Sequence, residues 1–388
     1  MRTNLAFANI RSSLTRTLIS VAGIGIAVVL IFMQLGFRGA VESTATTIYG
    51  KMDFDVIVRS KDYLHFVDSR QISMSLSAVI KSVPGTQKPT PFYVSMGNWR
   101  HPKGELIRGV IIMGTPFGSS PFADTDLTRK IRRLTAKPFV LIDQKTHFEF
   151  GPVNKRKFGD EDIGVITNVT NSAVKIVGHF EIGAGLTAHG SIITSDRGFE
   201  ELLGGAFNVQ KNTSMFLVKL DNPDNATLVA SQINNRLPNT HNAVALTREE
   251  VMQAELTRWI DQTPLGFVFT LGVIVSFIVG SAIVFMVLSN DVTNRLPEYA
   301  TLKAMGYTNY YLSTIVLRQA TYLAFFAFVP ALATSLVLYQ VTSFLANISI
   351  QMTLVRMLAV LLLSVMMCWL SGVGALKKLW QAEPASLF

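Results

Sequence analysis

The sequence predicts a membrane protein in which four transmembrane α-helices carry a large extracytoplasmic α+β domain between helices 1 and 2. Three observations predict it. Of 388 residues, 49% are hydrophobic and only 16% charged, with mean hydropathy +0.35, which argues against a purely water-soluble chain. Four uncharged, mostly apolar runs reach the roughly 20 residues that a spanning helix needs. Between the first two runs, residues 38–261 hold 26 basic and 23 acidic residues and mix strand-like with helix-like patterning.

In chain order, residues 1–16 interleave Leu5, Ala8 and Leu14 with Arg2, Arg11 and Arg16, the pattern of an amphipathic segment lying at a membrane surface. Span one is 17–37, bounded by Arg16 and Arg38. It is longer than a signal peptide's apolar region, and Gln34 to Phe37 offers no small-x-small cleavage site. Residues 38–261 form the α+β domain. Strands are expected at 54–58, 107–113, 139–142, 164–167, 174–177, 191–194 and 215–220, and helices at 75–82, 196–203, 225–237 and 247–259. Strand–helix–strand units near 52–115 and 213–246 flank a β-rich insertion near 117–205, with turns in the Pro- and Gly-rich stretches 84–91 and 114–121. Thr247 with Glu250 three residues later forms a capping box. Span two is 262–290, followed by a connecting loop 291–309. The uncharged run 319–355 is too long for one helix, and its polar segment divides it into span three at 310–339, a short outside loop at 340–353 and span four at 354–376. Residues 377–388 are a tail.

Lys/Arg bias orients the spans. Arg2, Arg11 and Arg16 precede span one, Arg295, Lys303 and Arg318 lie around the loop after span two, and Lys377-Lys378 follow span four. The positive-inside rule places all three segments, and both termini, in the cytoplasm. The nearly balanced domain 38–261 is then translocated. Net charge of +9 does not gather into one basic face, so no nucleic-acid role is expected.

Catalytic patterns are missing. His65, His101, His147, His179, His189 and His241 are scattered and none belongs to HExxH. Asp160-Glu161-Asp162, preceded by Lys155-Arg156-Lys157, lacks the ligand alternation of a calcium loop. The glycines at 183, 185, 204 and 205 form no phosphate cradle, and the single cysteine, Cys368, excludes intramolecular disulfides and Cys-rich zinc sites. The chain also has no GxxxxGK[ST], so it cannot build a P-loop; ATP and magnesium are expected in a partner subunit and no cofactor or metal in this chain.

The most structured short motif is Leu296-Pro297-Glu298-Tyr299-Ala300-Thr301-Leu302-Lys303-Ala304-Met305-Gly306. Pro297 suits a first helical position, Glu298 and Lys303 complement the helix dipole, and Gly306 suits a left-handed stop. A two-turn helix is expected, with Glu298, Tyr299, Leu302 and Met305 as its docking face; a plain connector packed on its own spans is the other reading. Small residues Gly23, Gly25, Gly280, Ser281, Gly372 and Gly374 suit close helix packing within the membrane.

One span, a large outside domain and three further spans, with LPEYATLKAMGY after span two, resembles the FtsX/MacB-like permeases of type VII ABC transporters. The segments VVLIFMQLGFR (28–38), LGVIVSFIVGSAIV (271–284), DVTNRLPEYATLKAMGYTNYYL (291–312) and the final AEPASLF are similar to the DevC permeases of heterocyst-glycolipid exporters. Arg318-Gln319-Ala320 departs from that pattern, in which an acidic residue often follows glutamine near this place. The resemblance implies that Pro297 to Met305 is a coupling helix docking a separate ABC ATPase. It also implies a homodimer in the bacterial inner membrane, contact with a periplasmic membrane-fusion adaptor and through it a TolC-type outer-membrane channel, and mechanical rather than enzymatic action in efflux of a glycolipid, lipid or other amphipathic substrate. The alternative is an FtsX-like coupler that regulates an extracytoplasmic hydrolase. The large domain favours export, and a membrane-anchored enzyme is the least favoured class.

Overall fold

The computed structural model describes residues 14–104, 106–119, 121–135, 138–152, 156–183, 185–238, 242–346 and 350–381. The segment 1–13, Lys155, His241 and the end of the tail therefore lie outside the described residues, as does the middle of the loop at 347–349. Helix α1 (Leu14–Lys51) leads to β1 (Val56–Ser60), β2 (Ile72–Ser73), α2 (Leu76–Lys81), β3 (Thr90–Arg100) and β4 (Ile107–Thr115). Then come α3 (Thr125–Ile131), β5 (Phe139–Asp143), β6 (Ile166–Val169), β7 (Ser172–Phe180), β8 (Ser191–Ser195) and α4 (Asp196–Leu202). The chain continues through β9 (Asn212–Thr213), β10 (Met215–Val218), α5 (Ala226–Arg236), β11 (Ala243–Thr247) and α6 (Arg248–Leu256). It ends with α7 (Pro264–Asn294), α8 (Leu296–Ala304), α9 (Asn309–Ala346) and α10 (Leu354–Gln381).

The fold is that of a membrane protein with four transmembrane α-helices and an α+β domain inserted between the first and second. It divides into a membrane unit, residues to Val41 and from Thr263, and a second unit, Glu42–Gln262. Stretches of α1, α7, α9 and α10 are each long and apolar enough to cross a bilayer. In the membrane unit, Ile24, Ala27, Val28 and Ile31 follow helical spacing along α1 and bury against one core with Val284 and Leu288 of α7, Ala320, Leu323, Ala324 and Ala327 of α9, and Met367 and Cys368 of α10.

The helices overrun the expected spans. α1 does not stop near residue 37 but continues to Lys51: no proline interrupts it, and Thr46 and Thr47 donate their hydroxyls to the carbonyls of Glu42 (3.1 Å) and Ser43 (2.6 Å), spending them without breaking the helix. α9 runs on past Gln340, Thr342 and Ser343 to Ala346, so the expected outside loop 340–353 is shorter than its polarity suggested. Asp291 to Asn294 close α7 rather than opening the loop.

In the α+β domain nine strands form one mixed sheet in the order β11-β1-β10-β3-β4-β8-β5-β7-β6. A further pairing of Trp99 with Val169 joins β6 back to β3, closing the last six strands into a ring. Strand alternation then feeds two cores. Val110, Ile112, Val140, Ile142 and Ile192 enter one with Trp99 and Phe150; their neighbours Ile111, Met113, Leu141 and Ile193 enter the other with Phe92 and Phe122. A third cluster joins Val56 and Val58 of β1 to α2 and α5 through Ile80 and Ile233. The capping box forms: Glu250 N–H donates to Thr247 Oγ1 (3.3 Å) and Thr247 N–H to Glu250 Oε2 (2.8 Å).

Candidate functional site

The described residues bring no three His, Cys, Asp or Glu side chains together as a metal site. His179 Nε2 meets Asp160 Oδ1 at 3.0 Å on the surface. Two buried charge clusters instead organise the two units, and one of them holds the α8 motif.

Helix α8 is capped by its own sequence. Pro297 is its second residue rather than its first, following Leu296 after the N-cap Arg295. At the other end Gly306 takes φ +94°, its N–H donates to Lys303 O (3.0 Å), and Tyr307 N–H donates to Leu302 O (3.1 Å). That pair of bonds is the Schellman stop, and a left-handed φ is what makes glycine suitable there.

The start of α8 is anchored. Gln319 Nε2 donates to Asp291 Oδ2 at 2.6 Å, and Arg295 Nε lies 3.4 Å from Asp291 Oδ1. Arg295 also reaches Glu298 Oε2 with Nη1 at 3.6 Å. Asp291 and Gln319 are buried, so this network ties the last turn of α7, the first turn of α8 and α9 into one corner. A buried carboxylate needs such partners, since leaving it unmatched costs several kcal/mol. Sequence reasoning overlooked it. The Asp291/Arg295 i,i+4 spacing was a readable signal, but Gln319 is distant in sequence.

The expected docking face divides. Tyr299 does not face outward: it is 4% exposed and belongs to the membrane unit's own core together with Leu288, Leu312 and Val316. Burial first, then the charge of Asp291, pushes its phenol up to about 12, and its hydroxyl has no hydrogen-bond partner among the described residues. Leu302 is half-buried against the same core, and Lys303 is half-buried. The helix turns outward with Pro297, Glu298, Thr301, Ala304 and Met305, followed by Gly306. The reason is the 3.6-residue repeat: Tyr299, Leu302 and Ala300 fall on the side that the spans cover, Thr301 and Met305 on the other.

Among the packing residues, Gly280 is the tightest. A Cβ there would collide with Met367 Sδ and sit 2.7 Å from Ala27 Cβ, so α1, α7 and α10 converge on a position that only glycine fills. A Cβ added at Gly23 would lie 3.0 Å from Ile283, one at Gly374 3.1 Å from Phe285 and one at Gly372 3.3 Å from Leu317. Gly25 has only an ordinary 3.8 Å approach to Ala327 O, so close packing does not require glycine there. Ser281 contributes its carbonyl, which accepts from Ser371 Oγ at 2.7 Å, rather than its own hydroxyl.

The second cluster lies within the α+β domain. Arg59 Nη1 is 3.4 Å from Glu255 Oε1, and its guanidinium stacks 3.6 Å over the Tyr63 ring. Tyr63 donates its hydroxyl to Glu255, and the Tyr49 and Tyr63 hydroxyls are 2.6 Å apart. Burial pushes the Glu255 carboxyl and the Tyr63 phenol upward. The adjoining cavity, about 20 Å³, has room for one water and no substrate, so the cluster is a structural clasp.

Residues 270–384 match the family described as FtsX-like permease C-terminal. Comparison with curated proteins finds no match. Among solved structures, the extracellular domain of the noncanonic ABC-type transporter YknZ from Gram-positive bacteria aligns at 12% identity and TM-score 0.32, covering 50% of this chain and 99% of that one. The periplasmic region of MacB from Actinobacillus actinomycetemcomitans aligns at 10% identity and TM-score 0.35, covering 53% of this chain and 94% of that one. Neither likeness is close enough to establish a shared fold.

Proposed function

We propose that this chain is the permease subunit of an ABC-type exporter, in which α8 receives movement from a separate ATPase that binds the nucleotide and magnesium. Supporting this is the position of α8: a helix capped at both ends, anchored by Asp291, Arg295 and Gln319, and carrying an unburied face, inside a segment that matches the FtsX-like permease family. Its buried Tyr299 couples α8 to α7 and α9, so a push on the outward face is delivered to the spans. In this reading the α8 side is cytoplasmic, following the Lys/Arg bias, and the α+β domain is periplasmic, in a bacterial inner membrane. The finer assignment follows the DevC resemblance: a homodimer, a membrane-fusion adaptor leading to a TolC-type channel, and a glycolipid, lipid or other amphipathic substrate.

The outward face supplies the test. Ala304→Asp and Met305→Asp change exposed positions, so stability should stay within about 0.5 kcal/mol. A charge buried in an apolar contact should nonetheless weaken ATPase docking by several kcal/mol. Co-purification of the partner ABC ATPase, together with its stimulated ATP hydrolysis, should be lost in both variants while insertion is unchanged. Retained complex and activity would reduce α8 to a connector. Leu302→Asp is the poorer probe, because Leu302 also packs on the chain's own spans.

A further inference from the structure

Beside α8, the first turns of α9 and the last turns of α10 enclose a groove of about 640 Å³. One wall is apolar: Leu317, Trp369, Val373 and Leu376. Arg318 lines the same groove. It is exposed, and its guanidinium has no hydrogen bond or ion pair among the described residues. Arg318 is also the last charge before the uncharged run Gln319 to Val355, so it stands at the edge of the apolar part of the span. A cation at that depth is costly unless it reaches an anion.

Hydroxyls in the groove do not supply one. Ser313, Thr314 and Thr321 donate to the carbonyls of Asn309 (2.8 Å), Tyr310 (2.9 Å) and Leu317 (2.9 Å), and Thr321 Oγ1 accepts from Trp369 Nε1 (2.9 Å). Nor do the other described residues of the membrane unit. From residue 263 onward the acids are Asp291, Glu298 and Glu383, the last of them outside the described residues. Asp291 is buried with Arg295 and Gln319, and Glu298 sits on α8 facing Arg295. A second copy of the chain would bring the same few acids, none in its spans free to meet Arg318. A guanidinium with unspent donors above an apolar wall matches the chemistry of one ligand, a phosphate ester joined to an acyl chain.

We propose that this groove binds an anionic phospholipid, with Arg318 on the headgroup phosphate and an acyl chain along Leu317, Trp369, Val373 and Leu376. The site stands apart from the outward face of α8, so its test does not depend on ATPase coupling. The full-length chain, purified in a neutral detergent, is titrated with dioleoylphosphatidylglycerol or dioleoylphosphatidylcholine and retained lipid is counted by native mass spectrometry. The wild-type chain should retain the anionic dioleoylphosphatidylglycerol about fivefold better, the effect of one basic side chain on an anionic headgroup. Arg318→Gln should bring that ratio near one, and Arg318→Lys should leave an intermediate ratio. Inorganic phosphate in excess should not displace the lipid. Equal retention of both lipids by the wild-type chain, an unchanged ratio in Arg318→Gln, or displacement by inorganic phosphate would overturn the proposal. Loss of self-association in Arg318→Gln without any lipid preference in the wild type would overturn it too, assigning the groove to a second copy.

Discussion

Two buried carboxylates, each 3.4 Å from an arginine, do different work in the two units of this protein. Glu255 is enclosed: Arg59 is stacked on Tyr63, and Tyr63 and Tyr49 complete a bonded set. Asp291 is held more openly. Its arginine also reaches Glu298 across the α7–α8 corner, another partner is a neutral amide, and the neighbouring Tyr299 phenol has no hydrogen bond among the described residues. The first arrangement locks a strand, a loop and α6 together. The second joins α7, α8 and α9 at one corner, the place that the proposed function assigns to receiving movement.

Breaking the enclosed cluster should cost most. Arg59→Met leaves Glu255 buried without its cation, a loss of about 3–5 kcal/mol, read as a lower urea midpoint for the α+β domain in the intact chain. The loss should depend on pH. Because burial already raises the Glu255 carboxyl in the folded state, the folded protein holds its proton more tightly than the unfolded chain. Stability from this group therefore falls as pH rises from the ordinary carboxylate range through the raised value. Removing Arg59 raises that value further, so the deficit of Arg59→Met should be small in acid and full at neutral pH.

Breaking the open corner should cost less and act elsewhere. Gln319→Leu removes the 2.6 Å hydrogen bond to the buried Asp291 carboxylate, a bond to a charged group and so a loss of about 1.5–3 kcal/mol. The α+β domain should keep its urea midpoint. Faster hydrogen exchange at α8, with the rest of the spans protected, would show that the corner positions the helix; exchange unchanged at α8 would show that it does not.

The two clusters also mark where sequence reading succeeds. Spans and α8 were legible because each is a local pattern: an uncharged run, or proline, acid, base and glycine at fixed offsets. Clusters made by distant partners were not. Gln319 meets Asp291 only after α9 packs on α7, and Arg59 meets Glu255 from opposite ends of the α+β domain. β3 was hidden because Pro91 and Gly97 interrupt its alternation, although Phe92 and Val94 enter one core and Tyr93 and Trp99 another. The face of α8 was misjudged for a similar reason. Two turns of helix do not show which side the spans cover, and Tyr299, read as outward, is the residue that they bury most.

The finest comparison is between two tyrosines. Tyr63 donates its hydroxyl to Glu255 and shares a 2.6 Å contact with Tyr49, so Tyr63→Phe strips a charged acceptor of its donor and should cost about 1.5–3 kcal/mol. Tyr299 differs in one respect: its hydroxyl is buried near Asp291 with no hydrogen-bond partner among the described residues. Its ring packs in the membrane core, and phenylalanine keeps that packing while removing an unsatisfied polar group, so Tyr299→Phe should leave thermal stability unchanged or raise it by up to about 1 kcal/mol. The same substitution then has opposite consequences in the two units. Parallel melting of both variants in one detergent reads the difference directly. A Tyr299→Phe chain as damaged as Tyr63→Phe would mean that the Tyr299 hydroxyl bonds to Asp291 in solution, and that the α8 corner is as closed as the clasp in the α+β domain.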